Sequence, residues 1–147
     1  MASIWVYPGQ GVQRCNMLHD LPQTALVKEH LERASDALKE NVLMLDSSAA
    51  LQSTRAVQLC LLISGVVSSA LLAAEHLKPD YVAGLSIGAW SAAVVAGVLA
   101  YEDAIRLVAY RGELMQKAYP TGYGMTCLLY TSPSPRDLST SRMPSSA

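Results

Sequence analysis

Two segments of the chain, 56–74 and 82–100, each run for 19 residues without a charged side chain, and only Glu75-His76-Leu77-Lys78-Pro79-Asp80-Tyr81 separates them. A stretch of that length and composition has two homes. It can cross a bilayer, or it can lie buried within a soluble fold as a helix that is apolar on every side. The polar residues inside the two segments favour burial: Gln58, Ser64, Ser68 and Ser69 interrupt the first, and a glycine-rich turn occupies the first third of the second. A chain of 147 residues that is 51% hydrophobic is long enough for one ordinary domain with a sizeable core. A small membrane hairpin protein is the non-enzymatic alternative, and no membrane partner is expected.

Charge narrows the partners. With 11 basic and 12 acidic side chains the net charge is -1, and no basic stripe is present to neutralise a run of phosphates, so nucleic acid is not expected. Cys15, Cys60 and Cys127 are odd in number and widely spaced, without a paired metal or redox pattern. The apolar run at the N-terminus is too short for a signal peptide. These features fit a reducing, cytoplasmic setting.

The pattern between these landmarks alternates strands with helices. Residues 4–7 form a short β-branched and aromatic run ended by Pro8-Gly9-Gln10-Gly11, which reads as a buried strand and a tight loop. Leu26, His30, Leu31, Ala34, Ala37 and Leu38 recur at helical spacing, giving a surface helix near 24–40. Ser53 or Thr54 can cap the long apolar helix, and Pro79 blocks its continuation past Lys78. A second strand is expected at 81–84, a helix at 87–98, and another at 101–119 opened by Glu102 and Asp103. That order implies an α/β fold with a parallel sheet covered on both faces.

From about Cys127 the pattern stops. Residues 127–147 are rich in Ser, Pro and Thr, which reads as a disordered tail. The stretch also resembles the translated read-through of a sequencing adapter. The expected organisation is thus a partial domain at 1–126 followed by a non-native or disordered tail at 127–147.

The chemistry centres on Gly84-Leu85-Ser86-Ile87-Gly88, placed between a strand and an uncharged helix as a nucleophile elbow requires. Glycines on both sides let strand and helix approach around a serine whose hydroxyl projects outward. The helix N-terminus then offers the Ile87 amide where an oxyanion would form. The same pattern also serves as a plain strand-to-helix turn with a capping serine. Arg111 adds a second signal, because it falls within an apolar stripe of Ala104, Leu107, Val108, Leu114, Met115 and Ala118. No carboxylate three or four residues away can pair with it, and Glu113 is not at a facing position. Such a guanidinium snorkels, meets a distant acid, or holds a ligand anion. The Pro8–Gly11 loop follows the first strand, where its amides either face the elbow as a second oxyanion donor or form a simple turn.

Four motifs in order, Tyr7-Pro8-Gly9-Gln10-Gly11-Val12-Gln13, Ser53-Thr54-Arg55-Ala56-Val57-Gln58, the Ser86 elbow and Tyr110-Arg111-Gly112-Glu113-Leu114-Met115-Gln116, resemble the malonyl-CoA:acyl-carrier-protein transacylases. Leu85 and Ala89-Trp90 depart from the histidine and glutamate usual beside the nucleophile. With Met17-Leu18-His19-Asp20-Leu21-Pro22, Leu45-Asp46-Ser47, 58–63 and 122–125, they look like the transacylase (epsilon) subunit of malonate decarboxylase. The resemblance implies a three-layer, α/β-hydrolase-like acyltransferase core of which this is the N-terminal part. It implies Ser86 as the nucleophile, Gln10 and Ile87 as oxyanion donors, Arg111 on the malonyl carboxylate, and Gln58 and Met115 along the pocket. Malonyl-CoA and an acyl carrier protein would be partners, with other malonate decarboxylase subunits beside them, and no separate cofactor or metal. The family's histidine base comes later than the point where this chain leaves the pattern, so the chain as given is expected to be inactive. Malonyl transfer in fatty-acid or polyketide synthesis and an α/β-hydrolase esterase are the other readings.

Overall fold

A computed structural model describes residues 2–118; the tail, Cys127 and the 122–125 motif lie outside the described residues. Its elements are β1 (Ile4–Tyr7), α1 (Ala25–Leu38), α2 (Thr54–Ala74), β2 (Tyr81–Gly84), α3 (Gly88–Val95) and α4 (Tyr101–Ala118), with short 3-10 turns at Val42–Met44 and Ala50–Gln52 that the sequence pattern did not announce. The two strands pair in parallel, Ile4 opposite Tyr81 through Tyr7 opposite Gly84. Parallel pairing at this separation requires the intervening helices as a crossover, which α1 and α2 supply.

Each helix is bounded by local chemistry. Thr24 has extended backbone angles and its hydroxyl accepts the Val27 amide, starting α1, and Lys39 in the left-handed region ends it. Ser53 stands at the N-cap position of α2, but its side chain does not cap; the hydroxyl donates to Gln116 Oε1 on α4 at 3.0 Å instead. α2 stops at Ala74, before Pro79, as His76 turns into the left-handed region. α3 is shorter than the sequence pattern suggested, because Gly97 at φ +73° turns the chain toward α4.

The core is helical. Leu59, Leu62, Ile63 and Val67 of α2 pack with Ala104, Ile105 and Val108 of α4 and Ala34 of α1, all fully buried. Burial on this scale, at about 25 cal/mol per Å² of apolar surface, is what holds the element order together. α2 is the one described helix long and apolar enough to cross a membrane, yet 61% of its most apolar window is buried inside this fold. The second uncharged segment divides into β2, the elbow and the eight-residue α3, so the two do not form a hairpin of spanning helices.

Two expectations are corrected here. The strand at 4–7 is present, but only Tyr7 is buried, whereas Ile4 and Val6 are exposed. The reason is that, among the described residues, the sheet has two strands, with α2 and α3 packed on it. Among the described residues the expected parallel sheet is this pair of strands, as part of a larger fold. The stripe on α4 is also shifted: Tyr101, Ala104, Ile105, Val108, Ala109 and Gly112 are buried, while Leu107 and Leu114 are about half exposed. At 100° per residue, two sets of apolar positions overlap at Ala104 and Val108, and contact with α2 selects the one that contains Gly112.

A buried carboxylate joins the two loop regions. Asp46 is fully buried and accepts the amides of Leu18 (2.9 Å) and His19 (3.2 Å) and the His19 ring Nδ1 (2.9 Å). Burial opposes its ionisation, but the His19 hydrogen bond and the two amides outweigh that and hold the carboxyl below the usual range. The paired motifs at 17–22 and 45–47 are thus one structural unit.

Candidate active site

Ser86 sits at the mouth of the turn between β2 and α3 with φ +53°, a left-handed conformation unusual for a side chain larger than glycine. Its neighbours enforce that turn. A Cβ on Gly84 would lie 2.1 Å from the Gly88 carbonyl carbon, and one on Gly88 would lie 2.2 Å from the Tyr7 oxygen. Only glycines allow α3 to start this close to both strands. The Leu85 amide donates to the Tyr7 oxygen at 3.0 Å, extending the strand pairing to the residue before the serine. Tyr7 is fixed from below, its hydroxyl 2.7 Å from Ser69 Oγ on α2. The serine is exposed, and its strained backbone is what a nucleophile elbow displays.

Arg111 reaches this serine from α4. Its Nη2 lies 3.3 Å from Ser86 Oγ and its Nη1 donates to Gln58 Oε1 at 2.5 Å. Gln58 is fully buried in α2, and its Nε2 faces Met115 Sδ at 3.1 Å and Gln10 Oε1 at 3.4 Å. Arg111 and Met115 are four residues apart and so share the helix face that meets Gln58. One buried amide therefore collects Gln10, Arg111 and Met115, and Arg111 carries the connection to Ser86. The guanidinium is half-buried, at the edge of the apolar face of α4, and hydrogen-bonds two neutral groups, with no carboxylate partner among the described residues.

The Ile87 and Gln10 amides donate no hydrogen bond to another described residue. Ile87 itself is buried at the start of α3, where the first amides of a helix lack intrahelical partners. None of the three histidines bonds to Ser86 among the described residues: His19 pairs with Asp46, His30 Nδ1 with the Leu26 oxygen, and His76 closes α2. Cys60 is buried in α2, its thiol pushed up to about 12 by burial, which removes it as a competing nucleophile. No cluster of three potential metal ligands occurs among the described residues.

Sequence reasoning missed the pairing of two charged residues beside this group. Arg55 lies one helical turn before Gln58, and Glu113 lies two residues after Arg111; they pair with each other. The signal available was the spacing of Arg55 and Gln58, three apart on one helix face.

Residues 4–135 match the acyl transferase domain family. The chain belongs to that family. It is 40% identical over 124 residues to a malonyl CoA-acyl carrier protein transacylase of Staphylococcus aureus (strain COL), covering 81% of this chain and 39% of that protein. In structure it is similar to the malonyl-CoA:ACP transacylase of Synechocystis sp. PCC 6803, with a TM-score of 0.76 and 37% identity over 81% of this chain and 41% of that one. A complex of a type II polyketide acyl carrier protein with its malonyl transacylase gives a TM-score of 0.74, with 36% identity, 80% of this chain and 40% of that one. This acyl transferase chain thus spans about two fifths of the length of the relatives it matches.

Proposed function

We propose that the chain carries the acyl-accepting part of a malonyl-CoA:acyl-carrier-protein transacylase site. The observation that carries this reading is the hydrogen bond from Arg111 to Ser86, which puts a cation with no carboxylate partner among the described residues beside an elbow serine. In the proposed reaction Ser86 Oγ attacks the thioester carbonyl of malonyl-CoA. The Oγ–C bond forms, the C–S bond breaks, and coenzyme A leaves as the thiol. The amides of Ile87 and Gln10 receive the tetrahedral oxyanion, and the planar guanidinium of Arg111 takes the free malonyl carboxylate. Gln58 holds Arg111 in place, and Met115 forms the wall beside it. A carrier-protein thiol then attacks the acyl-serine, so one difficult transfer becomes two easier ones. No cofactor takes part.

The base that activates Ser86 is assigned to a residue outside 2–118, since no histidine bonds to Ser86 among the described residues and His19 and His30 are held by Asp46 and the Leu26 oxygen. As carrier, an acyl carrier protein of fatty-acid or polyketide synthesis is favoured over that of malonate decarboxylase, because the similar proteins reported above are named for the acyl carrier protein reaction. Leu85 and Trp90, which motivated the decarboxylase reading, contribute no hydrogen-bonding side chain to the Ser86 and Arg111 group. An esterase reading lacks any use for Arg111, and a reducing cytoplasmic setting remains the proposed location.

Equilibrium binding of malonyl-CoA and acetyl-CoA tests this reading without depending on the base. Malonyl-CoA should bind more tightly, and Arg111→Met should remove that preference, a change of about a hundredfold. Equal affinity for the two thioesters in the unsubstituted chain would sink the reading. Acylation of Ser86 by malonyl-CoA, seen by mass spectrometry and lost in Ser86→Ala, checks the nucleophile, and acylation that persists in Ser86→Ala would refute it.

A further inference from the structure

Arg111 needs a fixed direction to serve an anion, and its contacts to Gln58 and Ser86 fix only its tip. The base of that side chain is set by how α4 sits on α2. At that crossing Gly112 lies so close that a Cβ there would be 2.5 Å from the Arg55 Cα. The Arg55 side chain, largely covered, runs on from this contact. Its Nη2 donates to Glu40 Oε1 at 2.5 Å, and its Nε lies 3.2 Å from Glu113 Oε1, close enough for ion pairing although not aligned as a hydrogen bond. Two polar links therefore flank Gly112: Arg55 with Glu113 on one side, Gln58 with Arg111 on the other. Together they resist rotation of α4 about its own axis, which a smooth apolar contact at a glycine would permit.

We infer that Arg55 and Glu113 are positioning residues that lock the rotation of α4 so that the Arg111 guanidinium points at Ser86. Glu40 holds the other end of Arg55 and keeps its fork in plane. The inference rests on the acyl-transfer reading for its functional consequence, though the lock itself is a property of this chain alone.

The test measures binding of malonyl-CoA and acetyl-CoA to the full chain carrying Glu113→Gln, Arg55→Met or both. Glu113→Gln keeps size and shape at a half-exposed position, so it should fold even where Arg55→Met does not. Each single change should lower the malonyl-over-acetyl affinity ratio about tenfold while leaving acetyl-CoA affinity within about twofold, and the double variant should match the singles rather than their product. An unchanged ratio in Glu113→Gln, or an equal loss for both thioesters, overturns the inference. If the unsubstituted chain shows no malonyl preference, the proposed function fails and the lock is judged from nitrogen-15 spectra of the Arg111 side chain. Solvent exchange of its Nε–H should then rise severalfold in Glu113→Gln, and unchanged exchange overturns the lock.

Discussion

The helical side of the molecule and the strand side are built to different standards. On the helical side, α1, α2 and α4 enclose one another, and ion pairs tie them together, Arg33 to Glu102 at 2.7 Å and Arg55 to Glu40 and Glu113. On the strand side, Ile4, Val6 and Tyr81 are exposed, and the turn that joins strand to helix is strained at Ser86. The proposed site straddles this boundary. Its anion-binding parts, Arg111 and Gln58, come from the well-packed side, while Ser86 and Gln10 come from the strained one. The difference teaches that stiffness surrounds the guanidinium of Arg111, while backbone strain lies in the turn that displays the Ser86 hydroxyl.

The sharpest way to break the comparison is to overfill the elbow. Gly88→Ala pushes a methyl into the Tyr7 oxygen and should cost about 3 kcal/mol, read as a shift in the urea midpoint. Both tryptophans, Trp5 in β1 and Trp90 in α3, are on the strand side, so their fluorescence should lose its transition earlier than the helical circular dichroism. Coincident transitions in that variant would show that the two sides do not differ in independence. A smaller effect is expected at the buried carboxylate that ties 17–19 to 46. Asp46→Asn should cost about 2 kcal/mol at neutral pH, because the His19 ring and the amides of Leu18 and His19 lose a charged acceptor.

The sign of the pH effect follows from the lowered Asp46 pKa. Its stabilisation is fully present above the unfolded carboxylate value, about 3.9, and is lost as pH falls through the lower folded value. Acid titration of stability should therefore be steep in the natural chain and flatter in Asp46→Asn. An identical acid limb in the two proteins would remove Asp46 from the account. The smallest effect sharpens the contrast from the other direction. Ser86→Gly relieves the left-handed strain and should raise stability by about 1 kcal/mol while abolishing any acylation at that position. A thermal melt checks it, and a loss of stability would mean that the turn is not strained.

Much of this arrangement was legible before any coordinates. The limits of β1 and β2 and the elbow glycines follow from period and punctuation, because turns and short strands are set by neighbours in the chain. Arg111 stands out as a cation in an apolar stripe, Gln58 and Met115 follow from the resemblance, and the structure brings all three together. What the pattern could not supply was the rotation of α4. Apolar residues on that helix admit two overlapping stripes, and the choice is made by Gly112 against Arg55, a contact between residues far apart in sequence. The same limit hid the pairing of Arg55 with Glu113 and the joining of His19 to Asp46. It also made β1 read as buried, since a short apolar run does not reveal how many of its faces are covered.

The parallel pairing of β1 with β2 has a consequence for how the molecule is assembled. Ser3 and Asp80, hydrogen-bonded beside that pairing, are 77 positions apart. Closing so long a loop must be compensated by the helices between them, so the strands should meet only after α1 and α2 have docked. The Leu85 amide and the Gly88 backbone both rest on Tyr7, which places the bend at Ser86 among the last features to form. A nascent or partly folded chain would then carry a serine like any other, and the reactive geometry would appear only once the fold has already been checked by its own topology.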